Sequence, residues 1–373
     1  MEKNLNQLIK LSQKFGQNPD YIIAGGGNSS YKDQDKMWVK ASGTSMANID
    51  ENGFVCLDRE KMQVLSQKEY SNDATTREQE VKQDLHNAIL FPEGKRPSVE
   101  ASMHEVIQYA FIMHTHPTLV NGVLCANDSK EVIASMFGDD VVYVPYTDPG
   151  YVLFKEVVRA LNKYKEEKGK EAQIIFLENH GVFVGADTCE EIEDIYAEID
   201  EKLKSASKTN PLENNSSDNQ ELSSIASQIS LGDGTDTVYK VVDNSDLVSF
   251  FVKDELSFSK VSIPFTPDNI VYCKSKYLYL KEDGSDINER IESFKSLAGY
   301  YPKVVAIEGK GLVCIEENMN SAQIVLDVYK DMMKVSFLSE SFGGPRPMTQ
   351  EQIDFIDNWE VENYRRKISK QSK

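Results

Sequence analysis

Histidine is scarce in this chain, with five residues in 373, and none follows His180. Cysteine is equally sparse: Cys56, Cys125, Cys189, Cys273 and Cys314 are odd in number, widely spaced and never paired as CxxC. That pattern excludes a disulfide framework and a structural zinc knuckle and leaves buried free thiols. Long apolar runs are missing too. No stretch approaches the roughly 20 uninterrupted apolar residues that span a bilayer. The opening MEKNLNQLIKLSQKFG reads as an amphipathic helix without a signal-peptide core. A soluble, cytoplasmic protein is the expectation. Basic residues are outnumbered, 41 Lys and Arg against 60 Asp and Glu, and the formal charge of −19 repels nucleic acid and anionic membranes. A single small phosphate group remains compatible, because a few backbone amides and a local cation hold it against an unfavourable global field. Neither GxGxxG nor a glycine loop followed by GKS or GKT occurs, so there is no dinucleotide fingerprint and no P-loop.

What is present builds ordinary cores: 40% of residues are hydrophobic, and the length suits two domains. Up to about residue 206, short apolar runs (MWVKA, GFVCLD, FIMHTH, VVYVPY, AQIIFLE, GVFVGA) alternate with helical patterns over 73–90, 99–109, 151–167 and 188–206. This predicts a layered α/β domain over 1–206. Pro97-Ser98, Asp148-Pro149-Gly150 and Asp187-Thr188 mark helix starts. Residues 207–235, rich in Asn, Ser, Asp and Gly, read as a linker or long exposed loop, and a smaller α/β domain is predicted over 236–373. ENHGVFVGADTCEEIEDIYAEI (178–199) lies beside EGKGLVCIEENMNSAQIVLDVYKDM (308–332) with about a three-residue insertion. On one reading the second domain is a degenerate, non-catalytic copy in which Lys310 replaces His180. On the other, any two strand–turn–helix units share this outline.

FIMHTHP (111–117) places two of the histidines two residues apart at the end of an apolar run. Along a strand, residues i and i+2 share a face, so His114 and His116 form a two-point chelate, and Pro117 then stops the strand and permits a helix start. An open zinc site needs a third ligand. His180 in LENHGVF is the best candidate, following the apolar run QIIFL at a turn made possible by Gly181. Three histidines leave positions for water or substrate, which is the catalytic arrangement. Taken alone, an HxH pair is also compatible with hydrogen-bonded packing histidines. His86 reads as surface or core. His104, four residues after Glu100 on one helix face, reads as its support or as core.

Five motifs in order, GGGNSSY (25–31), KASGTS (40–45), RPSVEASMH (96–104), HTHP (114–117) and ENHG (178–181), resemble those of the class II aldolase/adducin family of zinc-dependent sugar-phosphate aldolases. VPYTDPGYVLFK (144–155), FTPDNIVYCK (265–274) and FIDNWEVENYRRK (355–367) are similar to the aldolase half of bifunctional rhamnulose-1-phosphate aldolase/lactaldehyde dehydrogenases, without the dehydrogenase half. The resemblance implies a class II aldolase-like layered α/β/α domain with a central mixed sheet. It implies His114, His116 and His180 as ligands of one Zn2+ and Glu100 as the catalytic carboxylate. Zinc then stabilises, as a Lewis acid, the enediolate left by cleavage beside a ketone, and Glu100, its pKa raised by partial burial, moves the proton. Gly27, Asn28 and Ser29, then Ser42, Gly43 and Thr44, with Ser98, match the loops that hold substrate phosphate. Without the resemblance these stretches read as plain turns. The chain departs from the small aldolases at Val99, where they carry a second serine.

The implied reaction is retro-aldol cleavage of a ketose 1-phosphate of the rhamnulose 1-phosphate type, giving dihydroxyacetone phosphate and an aldehyde. Epimerisation or dehydration of a sugar phosphate is the alternative within the family, and a non-catalytic adducin-like binding protein the alternative outside it. An amidohydrolase also begins with HxH, but it needs further histidines, and only His180 follows His116. Relatives imply a homo-oligomer, such as a tetramer, in which a tyrosine of a neighbouring subunit completes the site.

Overall fold

The apolar runs of the first half become strands of an eight-stranded mixed sheet in a computed structural model that describes residues 2–208, 212, 220–231, 238–281 and 286–358. The chain divides into two units, Met1–Leu124 with Ser129–Ala206, and Cys125–Asp128 with Ser207–Lys373. The boundary therefore departs from a simple cut near 206. Cys125–Asp128 goes with the second unit because its backbone bonds to Phe342–Arg346, with Arg346 N donating to Cys125 O at 2.8 Å and Asn127 N to Gly344 O at 3.0 Å.

The strands of the first unit are β1 (Asn28–Lys32), β2 (Lys36–Lys40), β3 (Phe54–Asp58), β4 (Ile89–Phe91), β5 (Phe111–Thr115), β6 (Val142–Val144), β7 (Ile174–Leu177) and β8 (Gly181–Ala186). They lie in the order β4-β3-β2-β1-β5-β8-β7-β6, antiparallel except for the parallel pair β6 and β7. Its helices are α1 (Glu2–Gly16), α2 (Arg59–Gln67), α3 (Ala74–Asn87), α4 (Ala101–Val106), α5 (Thr118–Leu124), α6 (Ser129–Phe137), α7 (Tyr151–Lys168) and α8 (Cys189–Ala206). Helices α2, α3, α4 and α7 bury Met62, Leu65, Val81, Leu85, Met103 and Phe154 against one sheet face, while α1 and α8 pack on the other.

Two local readings change for tertiary reasons. The pattern over 73–90 is helical only to Asn87, because Ile89–Phe91 pairs with β3 as an edge strand. The helix expected over 99–109 shrinks to α4, because the buried Lys32 ammonium takes the carbonyls of His104, Glu105 and Ile107 and so caps its end. The polar run NSSYK is β1, buried along its whole length between β2 and β5.

The second unit comprises α9 (Gln220–Gln228), β9 (Tyr239–Asp243), α10 (Asp246–Val252), α11 (Glu255–Ser259), α12 (Pro267–Cys273), β10 (Leu278–Leu280), α13 (Ile287–Ala298), β11 (Val304–Ile307), β12 (Gly311–Glu316), α14 (Met319–Ser339) and α15 (Gln350–Asn358). Part of the expected linker is thus the helix α9, which buries Leu222 and Ala226, one helical turn apart, in the core of this unit. FIDNWEVENYRRK lies outside the described residues beyond Asn358.

The sheet order β10-β11-β12-β9 reproduces β6-β7-β8-β5, with the same parallel and antiparallel relations at each step. The loops agree as well. Glu178 N donates to Val144 O at 3.0 Å, as Glu308 N does to Leu280 O at 2.9 Å; Asn179 N donates to Leu124 O, as Gly309 N does to Val252 O. Asn179 and Gly309 both take positive φ, 53° and 66°. Leu177 and Ile307 differ by 130 positions, and so do the helix-capping residues Thr188 and Asn318, so the expected three-residue insertion is not needed. Tyr196 and Tyr329, 133 apart, consequently lie almost a turn out of step. The cross-strand registers place Val242 where the first unit has His114, and Lys310 where it has His180.

Candidate metal centre

His114 is the last residue but one of β5, and its ring is stacked on Phe183 of β8 at 4.0 Å. Its Nδ1 donates to the carbonyl of Val182 at 3.0 Å. A carbonyl only accepts, so neutral His114 carries its proton on Nδ1 and presents a bare Nε2. Burial holds its pKa well below the ordinary imidazole value, more than Glu100 raises it. His116, just past the strand, brings Nε2 to 3.0 Å from that of His114. His180, on the turn between β7 and β8, completes the set: one nitrogen from each of the three lies within 4.8 Å of the others. Among the described residues this is the one group of three such side chains placed to hold a metal ion.

The donor set fits a divalent cation. The ligand nitrogens converge, and a backbone carbonyl fixes the His114 tautomer from behind, as it does in metal-binding imidazoles. The close approach depends on glycine. A Cβ at Gly181 falls 2.4 Å from Thr115 O and 2.7 Å from the His116 ring. The left-handed residue of the turn is Asn179, with φ 53°, so Gly181 serves to admit the His116 ring and not, as expected, to make the turn. Asn121 of α5, which the sequence did not single out, donates from Nδ2 to His180 O at 3.3 Å. Glu178 accepts from Tyr143 OH and, at 2.8 Å, from Tyr146 N.

Glu100 sits at the N-terminal end of α4, with Oε1 3.5 Å from His114 Nε2 and 3.3 Å from His180 Nε2. Its Oε2 accepts from Asn28 Nδ2 at 2.5 Å. Burial presses its pKa upward, but His114, His180 and His116 together press it down further, and the net direction is well below the ordinary value. This direction is opposite to the rise expected from burial alone.

The phosphate-side residues separate into two groups. Asn28 also donates to Ser98 Oγ at 3.1 Å. Ser42 is tied alongside by its N–H to Arg96 O at 2.9 Å, and the backbone around Ala41 bridges that around Pro97. Gly43, with φ 81°, and Thr44, whose N–H donates to Ala41 O, close a partly exposed turn. Gly27 takes φ 65° with its Cα beside the His114 carbonyl, where a Cβ would come to 2.7 Å. Ser29 departs from expectation. On the strand it alternates away from Asn28, and its hydroxyl meets Ser12 of α1 at 2.6 Å, on the other sheet face. The same period-2 rule, applied to NSSYK, was the unused signal that Ser30 and Lys32 share the face of Asn28. The His104 ring meets Asn28, while its link to Glu100 is the backbone bond from His104 N to Glu100 O at 3.3 Å, and His86 is exposed on α3.

Residues 6–206 match the family model for the class II aldolase and adducin N-terminal domain, and the chain belongs to this family. Over 199 residues it is 26% identical to the Bacillus subtilis (strain 168) protein described as uncharacterized oxidoreductase YuxG, which covers 51% of this chain and 27% of that one. The chain thus spans about a quarter of that relative's length. Among solved structures, the N-terminal class II aldolase domain of a conserved Thermoplasma acidophilum protein aligns over 55% of this chain and 94% of its own, at 26% identity and a TM-score of 0.47. An L-fuculose 1-phosphate aldolase aligns over 55% and 84%, at 20% identity and a TM-score of 0.37. No helix of the described residues is long and apolar enough to cross a membrane.

Proposed function

We propose that the chain is a zinc-dependent aldolase that cleaves a ketose 1-phosphate, of the rhamnulose 1-phosphate type, into dihydroxyacetone phosphate and an aldehyde. The observation that carries this reading is the convergence of His114, His116 and His180 on one point, with Glu100 Oε1 3.3–3.5 Å from two of their nitrogens. A divalent cation held by the three imidazoles supplies Lewis-acid stabilisation of the negative charge that develops when a bond beside a ketone breaks. Glu100 is the carboxylate in reach of that charge, able to take a proton and hand it on, and Asn28 keeps it oriented. Ser98, Gly27 and the Ser42-Gly43-Thr44 turn supply small groups suited to a phosphate, while the Asn28 amide is committed to Glu100 and Ser98. The second unit, which lacks equivalents of the ligand histidines, is non-catalytic. A cytoplasmic homo-oligomer is part of the same reading, and sugar phosphate its small-molecule partner.

The test is release of dihydroxyacetone phosphate from a panel of ketose 1-phosphates, with chelator and with added zinc. Chelator-sensitive release that zinc restores supports the lyase. Turnover of a sugar phosphate without a three-carbon product means an epimerase or dehydratase instead.

A further inference from the structure

We propose that His104 is a positioning residue for Glu100, acting through Asn28, whose carboxamide it pins in one of two orientations. This rests on the reading of Glu100 as the proton-carrying group. The chain of contacts is continuous and buried: Ser30 Oγ lies 2.7 Å from His104 Nδ1, His104 Nε2 meets Asn28 Oδ1, and Asn28 Nδ2 reaches Glu100 Oε2 at 2.5 Å. Side chains of His104 and Ser30 are fully buried, and Asn28 is 4% exposed.

The polarity of the whole chain follows from its last member. A carboxylate only accepts, so Asn28 must turn its NH2 toward Glu100, where it also reaches Ser98 Oγ. Its Oδ1 then faces His104 and needs a donor, which fixes the His104 proton on Nε2. Nδ1 is left as an acceptor, and Ser30 must donate to it. Read in reverse, each group selects the orientation of the next. An asparagine amide has nearly the same shape after a half-turn, so packing alone does not choose between presenting NH2 or oxygen to the carboxylate. His104 makes the choice, because a turned amide would set Asn28 NH2 against the His104 N–H and an oxygen against a carboxylate.

The imidazole itself has no freedom to drift. Phe183 meets its ring edge-on at 5.4 Å and stacks on His114 with the opposite requirement for alignment, so one phenyl spaces the positioning histidine from the candidate ligand. Lys32, two residues beyond Ser30 on the same strand face, anchors the end of the helix that carries both Glu100 and His104.

The experiment compares His104→Met, which fills the space without a donor, with His104→Gln, whose amide can donate to Asn28 Oδ1. For each, bound metal per chain, kcat and KM are measured on the zinc-loaded protein with a ketose 1-phosphate that the wild type cleaves. The expected result is full metal content and KM within about twofold in both, kcat down about 100-fold in His104→Met, and at least about tenfold of that recovered in His104→Gln. Unchanged kcat per bound metal in His104→Met, or an equal fall in both variants, overturns the proposal, since a merely structural histidine alters stability and not turnover by the folded enzyme. Should His104→Met not fold, Ser30→Ala takes its place, with kcat expected to fall several-fold (about 3- to 10-fold) at unchanged metal content. A separate arm uses metal-free protein with 15N-labelled histidine: His104 should be the Nε2–H tautomer, and an Nδ1–H tautomer overturns the chain of contacts whatever the substrate. Glu100→Gln distinguishes the two levels. If it retains turnover the functional reading fails, whereas loss in Glu100→Gln with none in His104→Met refutes only the positioning role.

Discussion

Asn28 and His114 are directly opposite one another on the paired strands β1 and β5. One holds the carboxylate of Glu100 and the other turns a nitrogen toward the point where the three imidazoles converge, so the register of this strand pair fixes the distance between the carboxylate and the candidate metal site. A slip of β1 by one residue would turn Asn28 to the other sheet face, where α1 packs, and separate it from His114. Both residues are buried, and the backbones are drawn together by Gly27, which no side chain could replace without meeting the His114 carbonyl.

The division of roles at the site gives the first prediction. His116→Ala removes a ligand and leaves two imidazoles, and bound zinc measured by mass spectrometry on gel-filtered protein should fall from about one per chain to near zero, with the fold retained. Glu100→Gln should keep the metal and lower kcat by about 100- to 10,000-fold. Full zinc occupancy in His116→Ala would remove it from the ligand set.

Gly181 carries a second prediction. A methyl there meets Thr115 O and the His116 ring at distances no Cβ tolerates. Gly181→Ala should therefore push the β5 end and the His180 turn apart, lowering stability by about 1–3 kcal/mol in denaturant titration and weakening zinc binding at the same time. A variant with wild-type zinc affinity would show that the turn yields without moving the ligands.

Much of this architecture was legible in the sequence, and the omissions have physical causes. The central strands read clearly because β3, β5, β7 and β8 are buried on both faces and so appear as apolar runs. β1 did not, since NSSYK has a polar composition that makes sense only when Asn28, Ser30 and Lys32 are seen to serve a buried network on one face. His114 and His116 were visible from spacing, but His180 and Glu100 come from turns and helix ends distant in sequence. Their convergence belongs to the sheet order, which no local pattern encodes. The pKa direction of Glu100 was misjudged for the same reason: burial can be guessed from sequence, whereas three imidazoles around one carboxylate cannot. The hydroxyl of Ser29 was misplaced by treating the stretch as a loop, when strand alternation turns it toward Ser12.

The internal repeat leads to a third prediction, of metal stoichiometry. In the second unit the positions equivalent to His114 and His180 hold Val242 and Lys310, and Lys310 is paired with Glu221. An aliphatic side chain and an ammonium do not ligate a divalent cation. Isothermal titration of chelator-treated protein with zinc should saturate one high-affinity site per chain, and that site should vanish in His180→Ala. A second high-affinity equivalent surviving in His180→Ala would mean that the second unit binds metal through other residues.

The last prediction concerns acid stability and the buried His104. Burial, aided by Lys32 and opposed by Glu100, pushes its pKa down to about 3 from the ordinary 6.5. Between those values the unfolded chain binds a proton on this residue and the folded chain does not. Acidification therefore favours unfolding: the contribution of neutral His104 is fully present above about pH 6.5 and is lost, at up to about 1.4 kcal/mol per pH unit, as pH falls toward about 3. The sign agrees with the hydrogen bonds, because a protonated ring would have no acceptor for Ser30 and would aim a second donor at it. Urea unfolding of chelator-treated protein from about pH 6.5 down to pH 4.5 should show a shallower pH slope in His104→Gln than in the wild type, by about one proton at most. Equal slopes would place the acid sensitivity elsewhere, most directly in His114, whose pKa burial also depresses and which the substitution leaves untouched.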